Sequence, residues 1–518
     1  MRKWLRPFVG VVAVTGLLTA VTGAAEETCK LEMKKVDTSS RGGSPLEYMF
    51  RSTSSQGFFM QIGGPEGRAV RPGDKDKPEF STLIKKEPAV YQAAHPFRGV
   101  AKLGSGYYGF VFDSAPPETA EENEEGVEKK VEQKGNPAPK ATPYSRLYFD
   151  LNHNGDLTDD GVIEAESTRQ HGVNYAQSSF PRADLTIDVD GSKVDYAFTM
   201  RVYTHSSGEF TYANASLNAA AYREGEIALD GKKHRVVLVD FNSNGVFNDA
   251  PLVSDGGSNR TVYPTPGDQL YVIDQEAGQI RGNPYDVSGN DALHYVGKLI
   301  NLGGVFHDLK VTPSGDRLTL SPSSLATGFV RNPNKGYRAV VYGENGLLKV
   351  AGDEAGLSAL PKGEWMLLCY TIDQTGFEEP EKAEDPPEEQ AAEKSERPAA
   401  SLLGVLLKAV TPSAPGAPSA RRTGPTMISA RATPDYKPVT VKQDETVELP
   451  FGPPYRTVVS AQYSNPQERQ VALGLTLVGV ADEVCENLIV NGGRPPKPEF
   501  TITTEDGKEV ESGAFEYG

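Results

Sequence analysis

Asp-Gly and Asn-Gly pairs set between alternating apolar and polar runs recur along this chain, and no other feature restricts its fold as tightly. Leu185-Thr-Ile187-Asp-Val189 and Val194-Asp-Tyr196-Ala-Phe198-Thr-Met200-Arg-Val202 flank Asp190-Gly191. Glycine reaches the positive φ that a two-residue hairpin turn demands, and period-two alternation puts one face of each strand into a core. The device recurs at Asp230-Gly231, Asn345-Gly346 and Asp506-Gly507, with Ser314-Gly315 a fifth. Only Ser216 to Arg223 reads as an amphipathic helix. The expected fold is mostly β: two or more β-sandwich or barrel-like units joined by acidic, Pro-rich disordered linkers.

Composition marks the linkers. Glu118 to Lys134 holds seven acidic and three basic residues with almost no large apolar side chain, and Pro137, Pro139 and Pro143 follow. Glu378 to Arg397 holds nine acidic and three basic residues and runs into Pro/Ala/Ser-rich sequence. Neither can bury enough apolar surface to offset its ordering entropy, so 116–143 and 377–434 are expected to be disordered. Inside the second, Leu402-Leu403-Gly-Val405-Leu406-Leu407 is an apolar island suited to a docked helical turn. The expected organisation is a β domain over 26–324, interrupted by 116–143, and a sandwich-like domain over 329–518, interrupted by 377–434. More than half of the formal charge of −17 lies in the two acidic runs, so acidity describes tethers rather than binding faces. No basic run of useful length follows the N-terminus, which argues against nucleic acid as a partner.

Met1-Arg2-Lys3-Trp4-Leu5-Arg6, the apolar run Phe8 to Val21 and Thr22-Gly23-Ala24-Ala25 read as a signal peptide over 1–25, cleaved after Ala24 or Ala25. The apolar run is short for a membrane span, and no later segment could serve as one. The protein is expected to be exported, to the periplasm, the cell envelope or the outside. Cys29 lacks the context of a lipidated residue, while Cys369 and Cys485 fit either a disulfide or two core thiols. Without a C-x-x-C pair there is no thioredoxin-like redox motif. The chain stops just past a strand-like run, at Phe515-Glu-Tyr-Gly518, which leaves room for a further strand.

The chemistry is concentrated in one repeated loop. Arg146-Leu-Tyr-Phe149 leads into Asp150-Leu-Asn152-His-Asn154-Gly155-Asp156-Leu-Thr158-Asp159-Asp160. Arg235-Val-Val-Leu-Val239 leads into Asp240-Phe-Asn242-Ser-Asn244-Gly245-Val246-Phe-Asn248-Asp249. Oxygen donors on alternate residues, with glycine sixth where the chain turns sharply, suit a hard cation such as Ca2+. This pattern resembles the EF-hand-like calcium loops of dockerins, thrombospondin repeats and many bacterial envelope proteins. The resemblance implies ligation by Asp150, Asn152, Asn154 and Asp156, and by Asp240, Asn242, Asn244 and Val246, the seventh position acting through its backbone carbonyl. The pattern departs at the twelfth position, which is Gly161 or Pro251 instead of a carboxylate. Spacing therefore assigns the closing carboxylate to Asp159 and Asp249, with Asp160 able to replace Asp159. Strands rather than helices precede the loops, so structural clips are expected, not a sensor's opening transition. The first loop, richer in aspartate, is expected to bind tighter. Alternation points His153 away from the ligands, towards solvent.

A smaller pattern, Leu360-Pro-Lys-Gly-Glu-Trp365 before a strand, resembles transthyretin-like and carboxypeptidase-regulatory-like sandwiches. None of the seven histidines has zinc-site spacing, and no nucleophile elbow, phosphate loop or dinucleotide fingerprint occurs. The expected function is that of a secreted or envelope-associated calcium-binding β-protein with a structural, adhesive or ligand-binding role towards an extracellular or envelope ligand. The alternative is a secreted hydrolase of polysaccharide or peptide with structural calcium, since a glycosidase-type carboxylate pair needs no sequence motif.

Overall fold

A computed structural model describes residues 26–36, 56–63, 77–116, 141, 143–206, 210–229, 231–254, 261–274, 290–375, 425–465 and 470–517. The expected signal peptide, residues 117–140 of the first acidic segment and 376–424 of the second, with the island 402–407, lie outside the described residues. The regular structure of the described residues is nearly all strand; the one α-helical turn among them is Phe80–Leu83.

The hairpins form where Gly and Asp or Asn interrupt alternation. Ala183–Val189 pairs antiparallel with Ser192–Ser206, with Val189 opposite Ser192, so Asp190 and Gly191 alone make the turn. Their φ angles of 49° and 82° are the paired positive values that such a turn requires. Lys232–Val239 likewise returns on Ala221–Leu229. The Asn345-Gly346 turn differs by one residue: Gly343 pairs with Gly346, which puts Glu344 and Asn345 at the tip.

The stretch Ser216 to Arg223, read as a helix, is strand. Phe210–Ala219 and Ala221–Leu229 belong to different sheets, with Ala220 at the corner between them. Ala213, Ala215, Leu217 and Ala219 are buried and alternate with polar residues, so the period is two. Small side chains hid it because alanine also favours helix. The disordered stretch expected to run to 434 also ends early. Met427–Arg431 is a strand between Gly363–Asp373 and Val484–Ile489. That strand separates Cys369 from Cys485: Cys369 pairs with Arg431 and Cys485 with Ala430, on opposite sides of it. Two strand spacings exceed disulfide reach, so the two thiols are not joined.

Two cores result. The first draws on the six-stranded sheet around Ser192–Ser206, the sheet of Phe97–Leu103, Gly106–Asp113 and Arg146–Phe149, and the sheet of Glu27–Lys30 with Arg317–Pro322 and Val305–Val311. The second lies under the eight-stranded sheet of Tyr337–Gly343 and Gly363–Asp373, and Trp365, 1% exposed, sits in it with Nε1 donating to Pro361 O at 2.8 Å. A five-stranded sheet serves both cores. Val236, Leu238 and Leu270 face the first, while Val237, Val239, Tyr271 and Ile273 face the second. This explains the unbroken apolar run Val236 to Val239, since a strand covered on both faces has no reason to alternate.

His294, on the same sheet opposite Leu270, is 8% exposed. Burial, then the nearby Lys349 ammonium, pushes its imidazole down to about 3. The unfolded chain binds this proton near pH 6.5, so His294 favours the fold above that pH and the benefit is lost as pH falls towards 3. At pH 4.5 the loss should reach about 2–3 kcal/mol. Urea unfolding at pH 7 and pH 4.5 checks this, because His294→Gln should lose that much less between the two pH values than the parent does. An equal drop in both proteins would refute the assignment.

Candidate metal centres

Each loop hangs from a strand that the core holds rigid. Leu147 and Phe149 are buried in the first core, and Asp150 N–H makes a last ladder bond to Gly109 O at 3.1 Å before the chain leaves the sheet. His153 and Gly155 then adopt φ of 60° and 78°. This wraps the backbone so that Asp150 Oδ1 accepts Asn154 N–H at 2.9 Å and Oδ2 accepts Gly155 N–H at 3.1 Å. Asn152 Oδ1 accepts Asn154 N–H at 3.0 Å, and Asn154 Oδ1 accepts Asp156 N–H at 2.7 Å. Both amide nitrogens donate to the Asp159 carboxylate, at 3.2 and 2.7 Å.

The second loop repeats these bonds one for one. Ser243 and Gly245 have φ of 61° and 80°. Asp240 accepts Asn244 N–H at 3.1 Å and Gly245 N–H at 2.6 Å. Asn242 Oδ1 accepts Asn244 N–H at 3.3 Å, Asn244 Oδ1 accepts Val246 N–H at 2.8 Å, and the two amide nitrogens donate to Asp249 at 2.9 and 2.6 Å. Asp240 is fully buried and takes a further bond, from the Tyr196 hydroxyl at 2.6 Å. The structure thus brings together within each loop the first-, third-, fifth- and tenth-position residues that the sequence singled out. In both, the amide oxygens keep a second lone pair.

A further carboxylate faces the first and tenth aspartates of both loops, from different parts of the chain. In the first it is Asp160, which accepts backbone N–H groups of Leu151 and Asn152 and lies in the field of Asp150 and Asp159. Desolvation, then those two charges, raises it to about 6, and its buried Oδ2 has no hydrogen-bond partner. In the second it is Asp268, fully buried, whose oxygens accept Phe241 N–H at 3.2 Å and Asp249 N–H at 2.7 Å. Desolvation, then Asp240 and Asp249, holds it well above the ordinary carboxylate range. Asp160 and Asp268 are equivalent in place: each binds the N–H that follows the first aspartate and faces the first and tenth. The pairing of Val239 with Gln269 delivers Asp268 beside Asp240. Sequence reading missed Asp268, because only the strand register makes it a neighbour; the signal was an aspartate immediately before an apolar strand.

The seventh position of the first loop is otherwise engaged. The Asp156 side chain pairs with Lys86 Nζ at 2.7 Å and accepts Thr158 Oγ1 at 2.6 Å, contacts that hold it down to about 2. His153 is exposed yet not simply solvated, since its ring stacks on Tyr108 at 4.4 Å and Nε2 lies 3.1 Å from Tyr107 O. Tyr107 and Tyr108 belong to the hairpin of Phe97–Leu103 and Gly106–Asp113, and the second loop meets its turn, where Asn244 O accepts Gly104 N–H at 2.6 Å. Gly245 leaves no room for change: a Cβ there would meet Ile187 Cδ1 at 2.5 Å in addition to its positive φ.

Chemically, both loops carry hard oxygen donors, a carboxylate at the first and tenth positions and a carboxamide at the third and fifth. Among the described residues no three His, Cys, Asp or Glu side chains are gathered at metal-holding separation, and in both loops the asparagine amides are bonded to the tenth-position aspartate. The chain matches no protein-family model, no curated protein and no solved structure.

Proposed function

We propose that this chain is a secreted or envelope-associated β-scaffold whose two strand-end loops bind Ca2+ as structural clips, and whose role is adhesive, structural or ligand-binding. The carrying observation is the bond-for-bond repetition of one loop at two strand ends, each time beside a third, desolvated carboxylate. Asn/Asp/Gly turns are common, but a turn alone has no use for two carboxylates set so as to raise the proton affinity of a third, desolvated one. A divalent ion relieves that repulsion. The first site is assigned Asp150, Asn152, Asn154, the Asp156 carbonyl, Asp159 and Asp160; the second Asp240, Asn242, Asn244, the Val246 carbonyl, Asp249 and Asp268. The reason to expect tighter binding at the first loop weakens on this assignment: Asp156 is paired with Lys86, and each site has three carboxylates.

Calcium titration followed by thermal unfolding tests the reading. Extracellular sites of this kind bind at roughly 10⁻⁴–10⁻³ M, so millimolar calcium should raise the midpoint and magnesium should not match it. Asp150→Ala and Asp240→Ala should each remove part of the rise. Variants that respond to calcium just as the parent does would end the assignment.

A further inference from the structure

Among the described residues from Arg456 to Tyr517, Val478 is the one hydrophobic side chain that is buried. Arg456–Asn465 and Gln470–Val478 pair antiparallel at one margin of the eight-stranded sheet, and no strand lies beyond Arg456–Asn465 among the described residues. The register sets Val459 opposite Leu475 and Ala461 opposite Leu473, so these side chains share a face with Leu477. Leu473, Leu475 and Leu477 are half-buried, Val459 and Val471 are exposed, and none of the five belongs to a core. Further on, Glu499–Thr503 and Glu509–Ala514 form a hairpin whose strands pair only with each other among the described residues, and Glu509–Ala514 is exposed throughout. Between the hairpin and the sheet lies a cleft of about 780 Å³. Leu473, Leu475, Leu477 and Leu488 line one side of it, and Phe500 and Phe515, with ring centroids 5.2 Å apart, line the other. The carboxylates at its margin are already paired, Glu486 with Arg431 at 2.8 Å and Glu516 with Lys497 at 2.6 Å.

We propose that this cleft is the docking site of the chain's own apolar run Leu402-Leu403-Gly404-Val405-Leu406-Leu407, which lies outside the described residues. The proposal goes beyond the calcium reading and does not rest on it. An apolar surface of this extent, rimmed by polar groups, is the mark of a binding face. Within 376–424 the run is the one concentration of large apolar residues, set in sequence rich in Glu, Pro, Ala and Ser. Its four leucines and one valine carry no charge and match a lining of leucine and phenylalanine. The chain also returns from 376–424 beside the cleft. Thr426 N–H donates to Ile489 O at 2.8 Å, and Ile428 lies opposite Leu488, itself a lining residue. The stretch from Lys408 to Gly424 can span roughly 55 Å fully extended and about 20–25 Å as a flexible coil, which is ample to bring the run there. Such a tether holds its occupant at an effective concentration in the millimolar range. A second copy of the chain has no tether and brings a further charge of −17, which opposes association.

The double variant Leu403→Glu/Leu406→Glu, which alters no described contact, tests this on the full chain. A peptide of residues 399–410 with a solubilising lysine tail is titrated by calorimetry into the variant and the parent, both in chelator. It should bind the variant roughly tenfold tighter, because the parent's own run competes for the cleft. Leu475→Glu added to the double variant should abolish that binding. Phe500→Ser, on the hairpin outside the cores, should weaken it as well, so a folding defect at Leu475 does not decide the outcome. The proposal is overturned if the peptide binds neither protein, if it binds both equally, or if neither cleft substitution weakens it. It is overturned too if the parent sediments as a dimer that Leu475→Glu separates, since a second copy then covers this face. The calcium-induced melting shift of the double variant should equal the parent's, so the failure of either reading leaves the other standing.

Discussion

Asp268→Ala is expected to abolish the calcium response of the second loop as fully as Asp240→Ala, although the two residues are 28 apart in sequence. An ion present at a hundredfold excess over its dissociation constant stabilises the fold by about 2.7 kcal/mol per site. Each variant should therefore lose about that much calcium-induced stability, while the first loop's share persists. The physical ground is that Asp268 meets both Asp240 and Asp249 in a solvent-free position, where a lost carboxylate cannot be replaced by water-exposed neighbours. Urea midpoints in chelator and in saturating calcium give the increment directly, and Asp159→Ala provides the reciprocal control in the first loop. Should Asp268→Ala retain the parent's full increment, Asp268 is a structural acceptor for Phe241 and Asp249 N–H and nothing more. The combined variant Asp159→Ala/Asp268→Ala should be indifferent to calcium, because the two loops have separate ligand sets.

The difference between Asp160 and Asp268 also shows what a sequence can and cannot display. Local rules were visible wherever one residue type determined the backbone. Asp190-Gly191 makes its turn because few other pairs accept two positive φ values, and Gly155 and Gly245 hold the sixth position of the loops for the same reason. Alternation was visible at Leu185 to Val202 because large apolar residues carried it. It was hidden at Ala213 to Ala219, where the buried set is alanine with one leucine and the polar set is small enough to pass for a helix surface. Register was not visible at all. Nothing in the order of residues says that Val239 lies opposite Gln269, or that Cys369 and Cys485 flank the same strand, because hydrogen-bond pairing is decided by the packing of whole sheets. The aromatic side chains on the outward face of the six-stranded sheet follow the same logic. Phe59, Tyr175, Tyr203 and Tyr212 are scattered through the chain and become neighbours only when their strands align.

Glu483→Ala is expected to cost about 4 kcal/mol or more, the largest loss of any single side chain considered, and to leave the calcium increment unchanged. Glu483 is fully buried beneath the eight-stranded sheet. Oε1 accepts the Tyr370 hydroxyl at 3.0 Å and Gly452 N–H at 2.6 Å, and Oε2 accepts Ala481 N–H at 2.9 Å. The Tyr455 hydroxyl is 3.0 Å from that of Tyr370, and Tyr370 stacks on Phe451 at 4.4 Å. Truncation would strand two backbone donors and a hydroxyl out of water, each worth about 1–3 kcal/mol, and open a void beside Gly479. Tyr370→Phe removes one donor but leaves the carboxylate with its backbone partners, so it should cost only about 1 kcal/mol. A double-mutant cycle in urea should then show strong coupling between the two sites, and a loss below 1 kcal/mol for Glu483→Ala would refute the account. Both oxygens of this buried acid are met by donors from its own chain, whereas Asp160 keeps a buried oxygen that nothing meets. Burial alone therefore does not mark an ion ligand. What separates Asp160 and Asp268 from Glu483 is the company of two further carboxylates, and that is why calcium should discriminate between the variants when stability alone would not.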